Sequence, residues 1–241
     1  MSETSDFKSK PQDYLSENVV IVAGSAENDL MPVDKMAEVM RLEYKAIKKF
    51  QLTRLSWEHN VVLLDFAPDT AADTDCIKAY WLPWLSDHAT SMVLGDQADF
   101  FFTSEMTNCR FSVLDEDKQH PRVAHVSGSY SNTAKRNKFE KDDKFLDNLQ
   151  PSQLAKVRRL SVSGSRDRFE GLGVNRKQIP KIHEYRGQQP DNESSAFVFG
   201  LRQAPEGWKF YAQIAKGCLT SGFYANGIKD DVTILDHCRP V

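Results

Sequence analysis

The sequence is poor in the residues that build metal sites and disulfide frameworks. Its 241 residues include only four cysteines and six histidines, and no two cysteines are spaced as CxxC. This scatter excludes a zinc knuckle and a thioredoxin-like redox motif. A chain of this length buries enough apolar surface to fold without disulfides. We therefore expect reduced thiols, no bound metal and no cofactor.

Long apolar runs are also missing. No window approaches the roughly 20 consecutive apolar residues of a membrane-spanning helix. Residues 1–15 are polar and contain no apolar stretch of the signal-peptide type. We expect a globular protein that makes no membrane contact and is cytoplasmic in the cell that produces it. Residues 1–16 are predicted to be a flexible tail, and residues 17–241 are predicted to form a single domain.

Charge is unevenly distributed, although the net charge is only −3. Residues 131–181 contain thirteen Lys and Arg against six Asp and Glu, which gives +7 and leaves −10 for the rest of the chain. Such a segment is either a solvated face with alternating charges or a contact for an acidic or phosphate-bearing partner. No aromatic-rich nucleic-acid motif accompanies the charges, so we expect no direct nucleic-acid binding.

Apolar runs rich in β-branched and aromatic residues recur along the chain and predict strands. The candidate strands are residues 18–23, 59–66, 76–84, 98–103, 109–114, 122–128, 195–202, 208–215 and 232–237. Residues 32–50 have helical spacing instead, and residues 152–160 are predicted to be a short helix with Ser152 at its cap position. There is no parallel βαβ alternation and no glycine-rich phosphate loop. We predict an α+β fold with a strand-rich, β-sandwich-like core flanked by helices and long loops.

Cys109 and His125 form the most promising chemical pair in the sequence. Residues 109–114 and 122–128 are predicted to form a hairpin, in which antiparallel pairing places Cys109 opposite or diagonal to His125. An imidazole beside a thiol can accept its proton, and the thiolate is a strong nucleophile. Two buried side chains that merely pack together would explain the same pattern.

A resemblance to a known family favours the chemical interpretation. Residues 81–125 contain a WLPW element, then FFT ending at Thr103, then Cys109 six residues later, then His125 on the next predicted strand. This order resembles the Burkholderia lethal factor family of glutamine deamidase toxins, which is related in fold to the catalytic domain of the cytotoxic necrotizing factors. Residues 196–215 also resemble a later strand pair of that family.

The resemblance implies a role for each matching residue. Cys109 would attack the carboxamide carbon of a protein glutamine, His125 would act as base and acid, and Thr103 would orient the imidazole. The Cys109 backbone N–H would contribute to an oxyanion hole. One departure concerns the residue before the cysteine, where the family has glycine and this chain has Asn108. Asparagine tolerates left-handed backbone geometry better than other non-glycine residues, so such a turn could persist.

The resemblance also implies partners and a place of action. The expected substrate is a host protein, either a translation-initiation RNA helicase or a Rho-type GTPase. The protein would then be a secreted or translocated effector that acts in the host cytosol as a virulence factor, and a helicase target would mean inhibition of translation. We expect it to be a monomer.

Other interpretations of the same residues stay open. A transglutaminase or a cysteine protease would use the same thioester and admit a different nucleophile to it. A binding module that keeps the fold but has lost the chemistry would also fit, because Asn108 replaces the family's glycine. Cys218 is an alternative nucleophile, although no histidine lies near it in the sequence.

Overall fold

Strands make up most of the residues that the structure, a computed structural model, describes. Those residues are 2–22, 47–56, 60–84, 89–106, 109–114, 117–126, 157–162, 182–185, 194–216 and 233–241. Two short helices come first, α1 (Glu3–Ser9) and α2 (Pro11–Glu17). The strands are β1 (Val19–Val22), β2 (Ile47–Ser56), β3 (Val61–Phe66), β4 (Ile77–Leu82), β5 (Ala89–Val93), β6 (Phe100–Thr103), β7 (Arg110–Leu114), β8 (Arg122–Val126), β9 (Val157–Val162), β10 (Ile182–Tyr185), β11 (Ser194–Gln203), β12 (Gly207–Lys216) and β13 (Thr233–Pro240).

The strands form two sheets. Sheet A has the order β1-β3-β2-β4-β6-β11-β12-β13, and sheet B has the order β10-β9-β7-β8-β5. Most neighbours are antiparallel, with parallel pairs at β1–β3, β4–β6 and β9–β10. Two packed sheets with flanking helices are an α+β fold with a sandwich-like core, as the sequence predicts.

Sheet A has a separate hydrophobic core on each of its faces. Side chains of a strand alternate between faces, and β6 shows this clearly: Phe101 points to one core, while Phe102 points to the other. The inner core lies between the sheets and joins Phe101 to Phe111 and Val123 of sheet B. The outer core lies beneath the two helices. Thr103 has the same parity as Phe101, so its side chain faces sheet B.

Two hairpins link the sheets at their turns. The pairing of β7 with β8 and of β11 with β12 confirms both predicted hairpins. The backbone N–H of Trp208 donates to the Lys118 carbonyl, and the side-chain amide of Gln119 donates to the Pro205 carbonyl. Gly207 has a φ of 87°, and a Cβ there would lie 2.3 Å from the Lys118 carbonyl oxygen. Only glycine allows the two turns to approach this closely.

The prediction that residues 1–16 form a flexible tail is wrong. Residues 3–17 form α1 and α2, and Phe7 and Leu15 are buried in the outer core. Ser2 caps α1 by accepting from the Ser5 N–H, and Pro11 begins α2. Glu3 pairs with Arg54 of β2. The segment is polar overall, but its few apolar residues fall on the side that faces the sheet.

The C-terminal part of each of the two predicted helices, 32–50 and 152–160, is a β-strand in the structure. Residues 47–50 belong to β2, which pairs with β3 and β4, and residues 157–160 belong to β9, which pairs with β7 and β10. A short apolar run fits either period, and here neighbouring strands provide the hydrogen-bond partners that decide between them. Residues 32–46 and 152–156 lie outside the described residues. The basic segment 131–181 is described only at Val157–Val162.

Candidate active site

The centre of the site is a hydrogen bond between the two sheets. Thr103 ends β6 in sheet A, and His125 lies in β8 of sheet B. The Thr103 Oγ1 atom is 2.8 Å from Nδ1 of His125, and both side chains are fully buried. This is the contact that the family resemblance implies. It exists because both side chains point from their strands toward the inner core.

The position of the protons follows from a third group. The Thr103 hydroxyl also lies 2.8 Å from the Leu82 carbonyl oxygen, which can only accept. The single hydroxyl proton is therefore donated to Leu82, and the oxygen accepts from the N–H at Nδ1 of His125. Neutral imidazole carries one proton, so Nε2 is left with a lone pair. Nε2 is buried and has no hydrogen-bond partner among the residues described.

The His125 imidazole is uncharged at neutral pH. Burial lowers the pKa of His125 to about 3, because desolvation disfavours the imidazolium. The group that orients the ring, the Thr103 hydroxyl, supplies no negative charge to offset that desolvation. Nε2 of His125 is therefore unprotonated at neutral pH, and the same desolvation makes it a weak base before substrate is bound.

Cys109 lies just before β7, the strand that pairs with the His125 strand β8. Phe111 of β7 pairs with His125, and Arg110 pairs with Val126. Cys109 precedes β7 by one residue and so lies diagonal to His125 rather than opposite it. Diagonal neighbours across an antiparallel pair are about 7–8 Å apart at their Cα atoms, within reach of an imidazole side chain. Cys109 is buried, belongs to the inner core with Phe111, and is not in a disulfide.

The arrangement has the parts required for acyl transfer. A thiol lies next to the strand that carries an imidazole, the imidazole has a lone pair on one nitrogen, and a hydroxyl orients the other nitrogen. This is the logic of a nucleophile, a base and an orienting group, with threonine in the third position. Cys76, by contrast, is buried one residue before β4, at the opposite end of that strand from Leu82, which bonds Thr103.

Three residues that support the site were missed by sequence reasoning. The Leu82 carbonyl fixes the Thr103 hydroxyl, and the Pro83 carbonyl accepts from Thr90 Oγ1 at 2.6 Å. Thr90 pairs with His125 in the ladder between β5 and β8. The WLPW element thus supplies backbone acceptors at the end of β4. Pro83, which ends that strand, was the available signal, because a strand end exposes carbonyls that the ladder does not use.

Several predicted features fall outside the described residues. Asn108, where the chain departs from the family that it resembles, is one of them, and the alternative nucleophile Cys218 is another. The described residues include no group of three or more His, Cys, Asp and Glu side chains that could hold a metal ion. Among them, neither helix has the length and apolarity that a membrane crossing requires.

No protein-family model matches the chain, and no curated protein does.

Proposed function

We propose that this protein is a toxin-like glutamine deamidase that acts through a thioester on Cys109. The observation that carries the proposal is the hydrogen bond from His125 Nδ1 to Thr103, which leaves Nε2 as a buried lone pair beside the strand that follows Cys109. A histidine that merely filled the core would be expected to have both nitrogens satisfied.

The first half-reaction forms the thioester and releases ammonia. The Cys109 sulfur attacks the carboxamide carbon of a protein glutamine, while its proton passes to Nε2 of His125 and the carbonyl electrons move to oxygen. The Cys109 backbone N–H stabilises this oxyanion. As the carbonyl re-forms, the C–N bond breaks, and the nitrogen takes the proton from Nε2 and leaves as ammonia.

The second half-reaction restores the enzyme. Nε2 of His125 accepts a proton from water as the water oxygen adds to the thioester carbon. The C–S bond then breaks, the sulfur takes the proton back from Nε2, and the glutamine has become glutamate. Thr103 holds the ring in one tautomer throughout, so that the same nitrogen faces sulfur, ammonia and water in turn.

Burial of His125 affects the step at which the Cys109 thiol loses its proton. Because desolvation lowers the pKa of His125 to about 3, a stable ion pair of thiolate and imidazolium is disfavoured before substrate arrives. Proton transfer is therefore coupled to attack on the carboxamide. Such an enzyme keeps its thiol unreactive until a substrate carbonyl is in place.

The resemblance of residues 81–125 to the Burkholderia lethal factor family supports the choice of substrate. It points to a glutamine of a translation-initiation RNA helicase, with Rho-type GTPases, the targets of the related necrotizing factors, as the second substrate class. On this proposal the protein is an effector that works in the host cytosol.

The proposal is tested by incubating the purified protein with eukaryotic cytosolic extract and analysing the extract by peptide mass spectrometry. We expect one or a few glutamines to be converted to glutamate, with no such conversion in extract incubated alone. Purified helicase and Rho GTPase, treated in the same way, then identify the substrate. Cross-linked peptides would indicate a transglutaminase, and new chain ends would indicate a protease. Either result would contradict deamidation.

A further inference from the structure

The connection between Thr103 and Cys109 is anchored at every residue that the structure describes. We call residues 104–106 the crossover segment, because they leave sheet A after β6 and lead toward Cys109 and sheet B. Ser104 Oγ accepts from the Trp84 N–H at 2.9 Å. Met106 exchanges two backbone hydrogen bonds with Ala196 of β11, at 2.9 and 2.8 Å. All three residues of the segment are buried.

Glu105, the middle residue of the segment, is a buried carboxyl in an unusual place. Its side chain is only 5% exposed. The Ser195 hydroxyl and the Val22 backbone N–H both donate to it, so it ties the crossover segment to β11 and to the end of β1. Burial raises the pKa of Glu105 to about 7, and these two hydrogen bonds act in the opposite direction. The proposed reaction gives this carboxyl no chemical role.

The place of Glu105 in the chain explains why a buried carboxyl would be kept there. It lies two residues after Thr103 and four before Cys109, the two groups that the proposed mechanism holds against His125 from different sheets. A hydrophobic side chain would fill the same space, but it would leave the Ser195 hydroxyl and the Val22 N–H without their acceptor. The carboxyl adds two directional contacts to a segment that has to keep its ends in register.

We propose that Glu105 is a positioning residue, which fixes the crossover segment so that Thr103 and Cys109 keep their places on either side of His125. This inference rests on the proposed function of that site. Its consequence is specific: loss of the carboxyl should change the catalytic step more than the binding of substrate, because Glu105 acts on the reacting groups through the backbone.

The test compares Glu105→Ala and Glu105→Gln with Thr4→Val as a matched control. Thr4 is also a buried acceptor, bonded to the Leu52 N–H at 2.9 Å, but it lies in α1 on the far side of sheet A. We expect Glu105→Ala to lower kcat for glutamine conversion about 10- to 100-fold with little change in KM, as for misplacement of reacting groups. Glu105→Gln keeps an acceptor oxygen and should restore most of the rate. Thr4→Val should leave kcat unchanged.

A second measurement needs no substrate and separates this inference from the proposed function. The ¹⁵N NMR signals of the His125 ring report which nitrogen carries the proton. We expect wild type, Glu105→Gln and Thr4→Val to show the form protonated at Nδ1, and Glu105→Ala to show a mixture of both forms. If wild type converts no glutamine, the proposed function fails, while the ring signals still test the role of Glu105.

The inference is overturned if Glu105→Ala has the ring signals and the kcat of Thr4→Val. Should Glu105→Ala fail to fold, Ser195→Ala takes its place, because it removes one of the two donors and keeps the carboxyl. Ser195→Ala is expected to shift the ring signals and kcat in the same direction by a smaller factor. Values equal to those of Thr4→Val would overturn the inference in that case too.

Discussion

The single proton of the Thr103 hydroxyl determines what His125 can do. It is directed to the Leu82 carbonyl, so the imidazole must donate from Nδ1 and keep its lone pair on Nε2. A carboxylate in the same position would also fix this tautomer, but it would stabilise the imidazolium as well. Threonine orients the ring without adding charge. In the proposed mechanism the base is therefore held in place and neutral, and it becomes charged only transiently during the reaction.

Substitution of Thr103 tests this division of roles. Thr103→Val keeps the shape of the side chain but leaves the His125 N–H without an acceptor, at a cost of about 1–3 kcal/mol in unfolding free energy. We expect its rate of glutamine conversion to fall at least about tenfold, because the ring loses its orientation. Thr103→Ser keeps the hydroxyl and should stay within about threefold of wild type. Urea unfolding and the conversion rate measure the two effects. Equal rates in both variants would show that the hydroxyl does not orient the base.

At the scale of secondary-structure elements, the site depends on two strands that belong to different sheets. Strand β6 supplies Thr103 and strand β8 supplies His125, and each is held in register by neighbours on both sides. The helices lie on the opposite face of sheet A, where Phe7 packs against the rings of Phe100, Phe102 and Phe199. Phe102 adjoins Thr103 in β6, so the outer core supports the strand that carries the hydroxyl.

Substitution of Phe7 tests whether the first helix is an integral part of the fold. Phe7 is 1% exposed, and truncation of such a ring costs about 3–5 kcal/mol of unfolding free energy. We expect Phe7→Ala to lose an amount in this range by urea unfolding. Lys10→Ala, at an exposed position between the two helices, should change it by less than about 0.5 kcal/mol. If both variants were as stable as wild type, residues 3–17 would be a dispensable tail.

Elements that depend on contacts local in the sequence could be predicted, whereas elements that depend on distant partners could not. The β7–β8 and β11–β12 hairpins are local, because their strands adjoin in the chain and turn residues separate them. Strand β9 lies in a segment predicted to be a helix because Ser152 suits a cap position, and its partner β7, which decides the outcome, is distant in sequence. The short helices α1 and α2 are too polar to be recognised without the sheet against which they pack.

The same distinction applies to the site. Cys109 and His125 could be paired from the hairpin alone, because the register follows from the turn. Thr103 entered only through the family resemblance, since its contact with His125 joins two sheets. Pro83 was the only signal for the Leu82 carbonyl, and Glu105 has no sequence signal of its own, because its role depends on tertiary contacts.

At the scale of the whole molecule, two buried titratable groups contribute to the pH dependence of stability in opposite directions. The pKa of His125 is lowered from 6.5 to about 3, so between these values the unfolded chain binds a proton that the folded protein does not. Stability falls there as the pH falls. The pKa of Glu105 is raised from 4.5 to about 7, so between these values the folded protein keeps a proton that the unfolded chain loses. Stability falls there as the pH rises.

Between pH 4.5 and 6.5 the two effects on stability oppose each other. Substitution of one group at a time should reveal the effect of each. His125→Gln removes the first effect, so its stability relative to wild type should increase as the pH falls below 6.5. Glu105→Gln removes the second, so its relative stability should increase as the pH rises above 4.5. Each slope is at most about 1.4 kcal/mol per pH unit. Urea unfolding across this range measures both slopes, and parallel curves for all three proteins would contradict the assignment.

The most direct test of the mechanism is the comparison of Cys109→Ala with Cys76→Ala in the extract experiment. Both substitutions remove a buried thiol, but of the two only Cys109 adjoins β7, the strand that pairs with the His125 strand. The measured quantity is the fraction of the target glutamine converted to glutamate in a fixed time. We expect Cys76→Ala to convert it at a rate close to that of wild type, and folded Cys109→Ala to convert none. Conversion by Cys109→Ala at the wild-type rate would contradict a thioester on Cys109 and with it the proposed mechanism.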